Sequence, residues 1–413
     1  MKCKTTLLFF CATIAWCAAT TLASGQNPAQ NQGPARLRAY TTVKTQPGAA
    51  AASRQAFPNS PQLPLWTFNV SSTRDHNNYS GVMVGRNPFG HELQKSVGVP
   101  TQIVPVVITT NLVGTSVDSS GTIATTPGVT TLDPTVANSA CLAPPNNVPL
   151  TLYRQSPIIQ HASFAFGGTN VGDTQYLDAF QRANFWAFTR GHDYHVLLHP
   201  VTRTQTVYIN VPAADGLALA TNSLGPPDFC APMGIIDINW FDAYLDSTII
   251  PALYAQGVNP GSLPIFLLAN VVMASPVTDL NTCCILGYHG TTGLPIQTYS
   301  PMDFDTTGLF GPTILDTSVS AHEVGEWMND PYGDNPTPPW GHIGQQPGCQ
   351  NNLEVGDPLT GTDIATVTMP NGYGYHLQEL VFFSWFYGAP SIAVNGWFSD
   401  NNTFTSDAGP PCS

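Results

Sequence analysis

The second half of this chain has no Lys or Arg that could neutralise a buried carboxylate. No Lys or Arg follows Arg203, whereas nineteen of the 26 acidic residues lie beyond it. Charged residues make up 9% of the chain, compared with roughly 25% in typical soluble proteins. The negative balance can serve solubility alone, but it also allows carboxylates to pair with bound cations. It argues against nucleic acid as a partner, because binding phosphates requires a basic surface.

The N-terminus has the pattern of a secretory signal peptide. Lys2 and Lys4 precede a thirteen-residue apolar run over 7–19, and small residues follow up to Gly25. The run is shorter than the roughly 20 residues needed to span a bilayer, and no later segment is apolar for long enough. We therefore expect residues 1–25 to be a signal peptide and the protein to be secreted, extracellular or periplasmic, without a membrane span.

The cysteines agree with export. Six remain after the signal peptide, an even number that predicts up to three disulfides in an oxidising compartment: Cys141, Cys230, Cys283, Cys284, Cys349 and Cys412. Their connectivity does not follow from the sequence. Because a bond between the adjacent Cys283 and Cys284 would be strained, we expect these two to reach different partners.

Composition divides the chain into three parts. Residues 26–60 are rich in Gln, Pro and Ala and contain no acid, which predicts a disordered linker or removable pro-segment. Residues 61–413 predict one large mixed α/β domain, with two interlocked lobes as the alternative. Buried strands are expected at 102–109, 194–198, 207–211, 235–238 and 265–268. Helices are expected at 173–190, opened by Asp173, and at 239–256, ending at Gly257, while 110–149 reads as loops or edge strands.

The segment DTSVSAHEVGEWMNDP, residues 316–331, predicts a helix that carries chemistry. Asp316 is expected to cap it, and the Asp330-Pro pair to end it. His322 and Glu326 are four residues apart and therefore project from one face, within reach of a single ion. The neighbouring Glu323 is the expected general base toward water, by the logic of the H-E-x-x-H motif.

A third metal ligand is expected from outside this helix or from its end. Glu354 is preferred, followed by Asp357, then Asp330 and then His342. His289, in the sequence CCILGYHG, could line the same cleft or polarise a substrate carbonyl, or could be a hydrogen-bonded structural histidine.

These motifs resemble those of zincin-like metallopeptidases. The closer resemblance is to secreted bacterial proteins in which H-E-x-x-E-x-x-x-D-P is followed by E-x-x-D, here residues 322–331 and 354–357. The resemblance implies a mixed α/β zincin-like fold, with a mixed sheet, an active-site helix and long loops. It also implies one divalent metal and hydrolysis of peptides.

The preferred hypothesis is a secreted metal-dependent hydrolase, a peptidase acting on a protein or peptide substrate. His322, Glu326 and Glu354 would hold zinc, and Glu323 would be the catalytic base. The alternative is a non-catalytic extracellular binding or adhesion protein with a degenerate or calcium-type site. The sequence predicts neither the specific substrate nor the oligomeric state.

Overall fold

The computed structural model describes residues 45–46, 48–90, 96–201, 205–225, 228–343, 349–362, 366–410 and 412. No helix in these ranges is long and apolar enough to cross a bilayer. The predicted signal peptide lies outside the described residues.

The regular elements are mostly short. The helices are Ala49–Ala56 (α1), Pro149–Gln155 (α2), Tyr176–Asn184 (α3), Trp186–Thr189 (α4), Ile238–Tyr244 (α5), Ile250–Leu253 (α6), Ser318–Asn329 (α7) and Phe383–Tyr387 (α8). The first nine strands are Leu65–Ser71 (β1), Asn78–Val84 (β2), Val97–Val117 (β3), Ile123–Leu132 (β4), Ala162–Phe166 (β5), Thr169–Thr174 (β6), Val196–Pro200 (β7), Val207–Asn210 (β8) and Gly216–Leu219 (β9). The later strands are Met233–Asp237 (β10), Leu263–Ala269 (β11), Val271–Ala274 (β12), Gly290–Thr292 (β13), Gln297–Phe304 (β14), Pro336–Trp340 (β15), Gln350–Asn352 (β16), Val367–Thr368 (β17) and Gly374–Tyr375 (β18).

A long strand, β3, organises a ten-stranded mixed sheet. The sheet order is β12-β10-β9-β3-β11-β14-β13, and β4, β7 and β8 also pair with β3. Strand β11 lies between β3 and β14 and runs parallel to both. All seven of its residues are buried, as expected for a strand covered on both faces. The mixed α/β class predicted from the sequence is therefore confirmed.

Two hydrophobic clusters cover the two faces of β11. Ile265 and Leu267 belong to the cluster that includes α3, α7 and α8, whereas Phe266 and Leu268 belong to the cluster that includes α5 and α6. This division follows from the alternation of side chains along a strand. Helix α7 follows β14 in the chain and packs against β14, β2 and α3, which places the predicted metal-binding helix in the interior.

The predicted strands are confirmed, with shifted ends, by β3, β7, β8, β10 and β11. The helical region 239–256 is also confirmed, with a π-helical turn at Leu245–Ile249 and Gly257 in the left-handed conformation at its end. Asp173 was wrongly predicted to open a helix: it lies in β6, and α3 begins after Gln175. Part of 110–149 continues β3 and then forms β4, which pairs with it.

Residues 48–60 differ from the linker predicted for 26–60. Helix α1 occupies 49–56, because its run of alanines has high helix propensity. It is attached to the fold by Ser53, whose Oγ accepts a hydrogen bond from the Ile296 amide at 3.0 Å. Much of the remaining segment lies outside the described residues, so its linker character stays a prediction.

Three disulfides join Cys141 to Cys230, Cys283 to Cys284 and Cys349 to Cys412. The expectation that the adjacent pair would reach different partners was wrong. The peptide bond between Cys283 and Cys284 is cis and their Cα atoms lie 3.0 Å apart, so the two side chains can meet. Paired cysteines are typical of proteins from oxidising compartments.

Candidate metal centre

Helix α7 brings the H-E-x-x-E motif into the protein interior. All twelve of its residues are buried. Its end at Asp330, before the proline, is as predicted, but Asp316 does not cap its start. Asp316 has a φ of 38°, and its carboxylate instead accepts hydrogen bonds from the adjacent Thr317 amide and from the amide of His376. Buried polar groups need partners. The contacts of the motif residues therefore decide whether this helix can bind a cation.

His322 and Glu326 meet Asp357 at one side of the helix. The Nε2 atom of His322 lies 3.1 Å from Glu326 Oε1 and 3.4 Å from Asp357 Oδ1. Glu326 Oε1 also accepts hydrogen bonds from the backbone amides of Gly356 and Asp357, at 3.2 and 3.1 Å. The three residues offer ligand atoms within 4.8 Å of one another, which is compact enough to hold a metal ion.

A second group contains His289, Glu323 and Glu326, again with ligand atoms within 4.8 Å of one another. The Nδ1 atom of His289 lies 3.6 Å from Glu323 Oε2 and 3.8 Å from Glu326 Oε2. Glu323 Oε2 is buried without a hydrogen-bond partner. The sequence suggested His289 as a residue of the cleft, and the structure places it against the motif carboxylates.

The tautomer of each histidine is set by an acceptor on its other nitrogen. Gln378 donates from Nε2 to the Gly356 carbonyl at 2.7 Å, so its Oε1 faces His322 Nδ1 at 3.0 Å. The Nδ1–H of His322 therefore donates, and in the neutral ring Nε2 carries the lone pair. In the same way, His289 Nε2–H donates to the Asp330 carbonyl at 3.2 Å, and Nδ1 carries the lone pair. Such outer hydrogen bonds are typical of metal-binding histidines.

Burial strongly shifts the pKa values of these groups. It raises the pKa of Glu323 to about 8, against the opposing charge of His322, and that of Glu326 to about 7. Burial alone would lower the pKa of His322, but Glu326 and Asp357 raise it well above its ordinary value. Burial would raise the pKa of Asp357, but the hydrogen bond and charge of His322 lower it. These shifts favour the protonated forms of Glu323, Glu326 and His322.

The other predicted ligands occupy different positions. Glu354, the preferred third ligand, lies beside His289 instead of His322, with its Oε2 3.8 Å from His289 Nε2. Burial, then the charges of Glu326 and Asp330, raise its pKa well above the ordinary value. Asp330 uses both carboxylate oxygens to accept hydrogen bonds from the amides of Asp334 and Asn335, and burial raises its pKa to about 7.

His342 is half-exposed and lies outside both groups. Its ring packs edge-to-face on Trp340, with centroids 5.9 Å apart. Burial lowers its pKa, although the nearby charge of Asp357 opposes this. It therefore stands next to the His322 group without joining it.

Sequence reasoning missed the residues that orient the ligands. Gln378 orients His322, Gln350 donates to Asp357 Oδ2 at 2.7 Å, and Asn352 donates to Glu354 Oε1 at 2.6 Å. The one available signal was that Gln378 is a polar residue in the largely apolar and aromatic stretch 377–387. An isolated amide in such a stretch needs a buried partner.

The residues fit a divalent cation by chemistry as well as by distance. Imidazole nitrogen and carboxylate oxygen are ordinary zinc ligands, and the buried oxygens Glu323 Oε2 and Glu354 Oε2 have no hydrogen-bond partner. No protein-family model matches this sequence, and the searches of curated proteins and of solved structures found no significant match.

Proposed function

We propose that this protein is a secreted metal-dependent hydrolase that acts on peptides, with a zincin-like fold. The cation is held by His322, Glu326 and Asp357, and Asp357 takes the place expected for Glu354. The observation that carries the proposal is that the Nε2 atom of His322 faces two carboxylates, in a half of the sequence without any Lys or Arg. Zinc is the preferred cation, because the site includes imidazole nitrogen.

The chain's own residues would divide the chemistry among them. A bound divalent cation supplies Lewis acidity, which polarises a carbonyl and lowers the pKa of water. Glu323 has an oxygen, Oε1, 3.9 Å from His322 Nε2. When ionised, it can take a proton from water at Oε1 and return it to the leaving amine. The Nδ1 atom of His289 lies 3.6 Å from the other oxygen of Glu323.

Metal content and turnover together test the proposal. Protein purified without chelators should contain zinc in stoichiometric amount, and the His322→Ala variant should lose it from this group. Glu323→Gln should keep zinc at the His322 group and lose cleavage of a fluorogenic peptide library. Glu379→Gln is the matched control, because Glu379 is a fully buried carboxylate that bonds to Ser399 and Thr403 instead. Full activity in Glu323→Gln would refute the mechanism.

A second candidate is a non-catalytic extracellular binding or adhesion protein with a structural metal site. Its support is the burial of the group: His322 is 9% exposed and Asp357 is 2% exposed. Calcium prefers six to eight oxygen ligands, so a structural calcium site should give a larger thermal stabilisation with calcium than with zinc. Such a result, with no peptide cleaved by the zinc-loaded protein, would favour this candidate over the hydrolase.

A further inference from the structure

The two oxygens of Glu326 face two different histidines. Oε1 lies 3.1 Å from His322 Nε2, whereas Oε2 lies 3.8 Å from His289 Nδ1. Glu326 is also the residue shared by the two groups that could each hold an ion. A carboxylate that offers one oxygen to each of two ligand sets has the position of a bridging ligand.

The His289 group has the features of a binding site in its own right. Glu323 is 5% exposed, and its Oε2 points toward His289 Nδ1 at 3.6 Å without a hydrogen-bond partner. The Nε2–H of His289 donates to the Asp330 carbonyl, so the lone pair of the neutral ring is on Nδ1. Leaving a buried carboxylate oxygen without a partner is costly, and a cation would remove that cost.

The charge of the cluster can accommodate more than one divalent cation. Five carboxylates that are at most 5% exposed surround the two histidines: Glu323, Glu326, Asp330, Glu354 and Asp357. When all are ionised, one divalent cation leaves three negative charges uncompensated, whereas two leave only one. No Lys or Arg follows Arg203 in the sequence to supply the difference. Buried charges without compensation are strongly destabilising.

We propose that the cluster binds a second divalent cation through His289 Nδ1, Glu323 Oε2 and Glu326 Oε2, so that Glu326 bridges two cations. The inference rests on the proposed function, because it adds a cation to the His322 site. Glu323 would contribute Oε2 to the second site, while Oε1 faces the first. Paired cations are a recurrent arrangement in hydrolases, aminopeptidases among them.

Metal counting on the full chain tests the second site without any activity assay. Protein stripped with a chelator and reloaded with zinc alone should retain two ions per chain after gel filtration. His322→Gln and His289→Gln should each retain one. His195→Gln should retain two, because His195 bonds to Asp178 outside the cluster. If circular dichroism shows that His289→Gln is unfolded, Glu323→Gln takes its place, and one ion is again expected.

Reloading with manganese alone tests the bridge. Two Mn²⁺ ions joined by Glu326 should give an exchange-coupled electron paramagnetic resonance spectrum, and Glu326→Gln should abolish the coupling. Two ions without coupling would overturn the bridge. One ion in the unmodified protein, lost only in His322→Gln, would overturn the second site and leave the proposed function standing. No ion at all would overturn both.

Discussion

Gly356 is close enough to His322 that a single methyl group should displace this ligand. A Cβ atom added at Gly356 would lie 2.6 Å from His322 Cγ and 2.8 Å from both Cδ2 and Nδ1. Gly356 has φ −87° and ψ −39°, so alanine is free of backbone strain there. The effect of Gly356→Ala therefore comes only from crowding of the imidazole ring.

The size of the effect follows from these distances. Ordinary carbon contacts lie at about 3.5–4.0 Å, so the ring must move by roughly 1 Å. Metal–ligand distances vary by only about 0.2 Å. A ring movement of roughly 1 Å therefore removes His322 from the site. We expect zinc affinity to fall at least 10- to 100-fold, as in variants of outer hydrogen-bond partners, or about 1.4–2.8 kcal/mol. Overpacking should cost a further ~1–3 kcal/mol of folding stability.

Competition titration of zinc against a chromogenic chelator measures the affinity, and urea unfolding measures the stability. Gly325→Ala is the matched control, because its Cβ would crowd Leu380 Cδ1, at 2.6 Å, and not a ligand. Gly325 lies in α7, as His322 does, and Gly325→Ala should keep the zinc affinity of the unmodified protein. Unchanged zinc affinity in Gly356→Ala would show that His322 is not a ligand.

Three further predictions concern the orientation of His322, the protonation of Glu323 and one disulfide. Gln378→Leu removes the acceptor for His322 Nδ1–H and should weaken zinc binding about 10- to 100-fold in the same titration; equal affinity would contradict the orienting role. With a chelator present, the free energy of unfolding in urea should fall as pH rises from about 4.5 to 8. In the unfolded chain Glu323 releases its proton near the ordinary pKa of 4.5, whereas in the folded state it keeps the proton up to about pH 8. The slope is at most about 1.4 kcal/mol per pH unit for each such group, and stability that rises over this window would contradict it. Replacing Cys141 and Cys230 together by serine opens a link between residues 89 apart and should cost about 4.6 kcal/mol in urea unfolding; a loss below about 1 kcal/mol would contradict the entropic estimate.

Local patterns in the sequence correctly predicted several strands of the sheet and the side of α7 that carries His322 and Glu326. Apolar β-branched runs predicted β8, β10 and β11, and the i, i+4 spacing placed His322 and Glu326 on one side of α7. These inferences succeed because helix and strand periodicity depends on residues that are close in the chain. Features that depend on the backbone conformation of single residues were less predictable. Examples are the start of α3 and the disulfide between Cys283 and Cys284.

By itself, the sequence determined that this protein has a charge-poor, acid-rich second half and a helix able to present His322, Glu323 and Glu326 together. Only the tertiary structure decided what meets that helix. The paths of the connecting segments bring Asp357 to His322 and put Glu354 beside His289, and they supply Gln378 to orient the ring. Glu354 and Asp357 are three residues apart in a segment without a long helix or strand. The sequence there has no periodicity that predicts which of the two contacts His322. That choice is made by packing between segments distant in the chain.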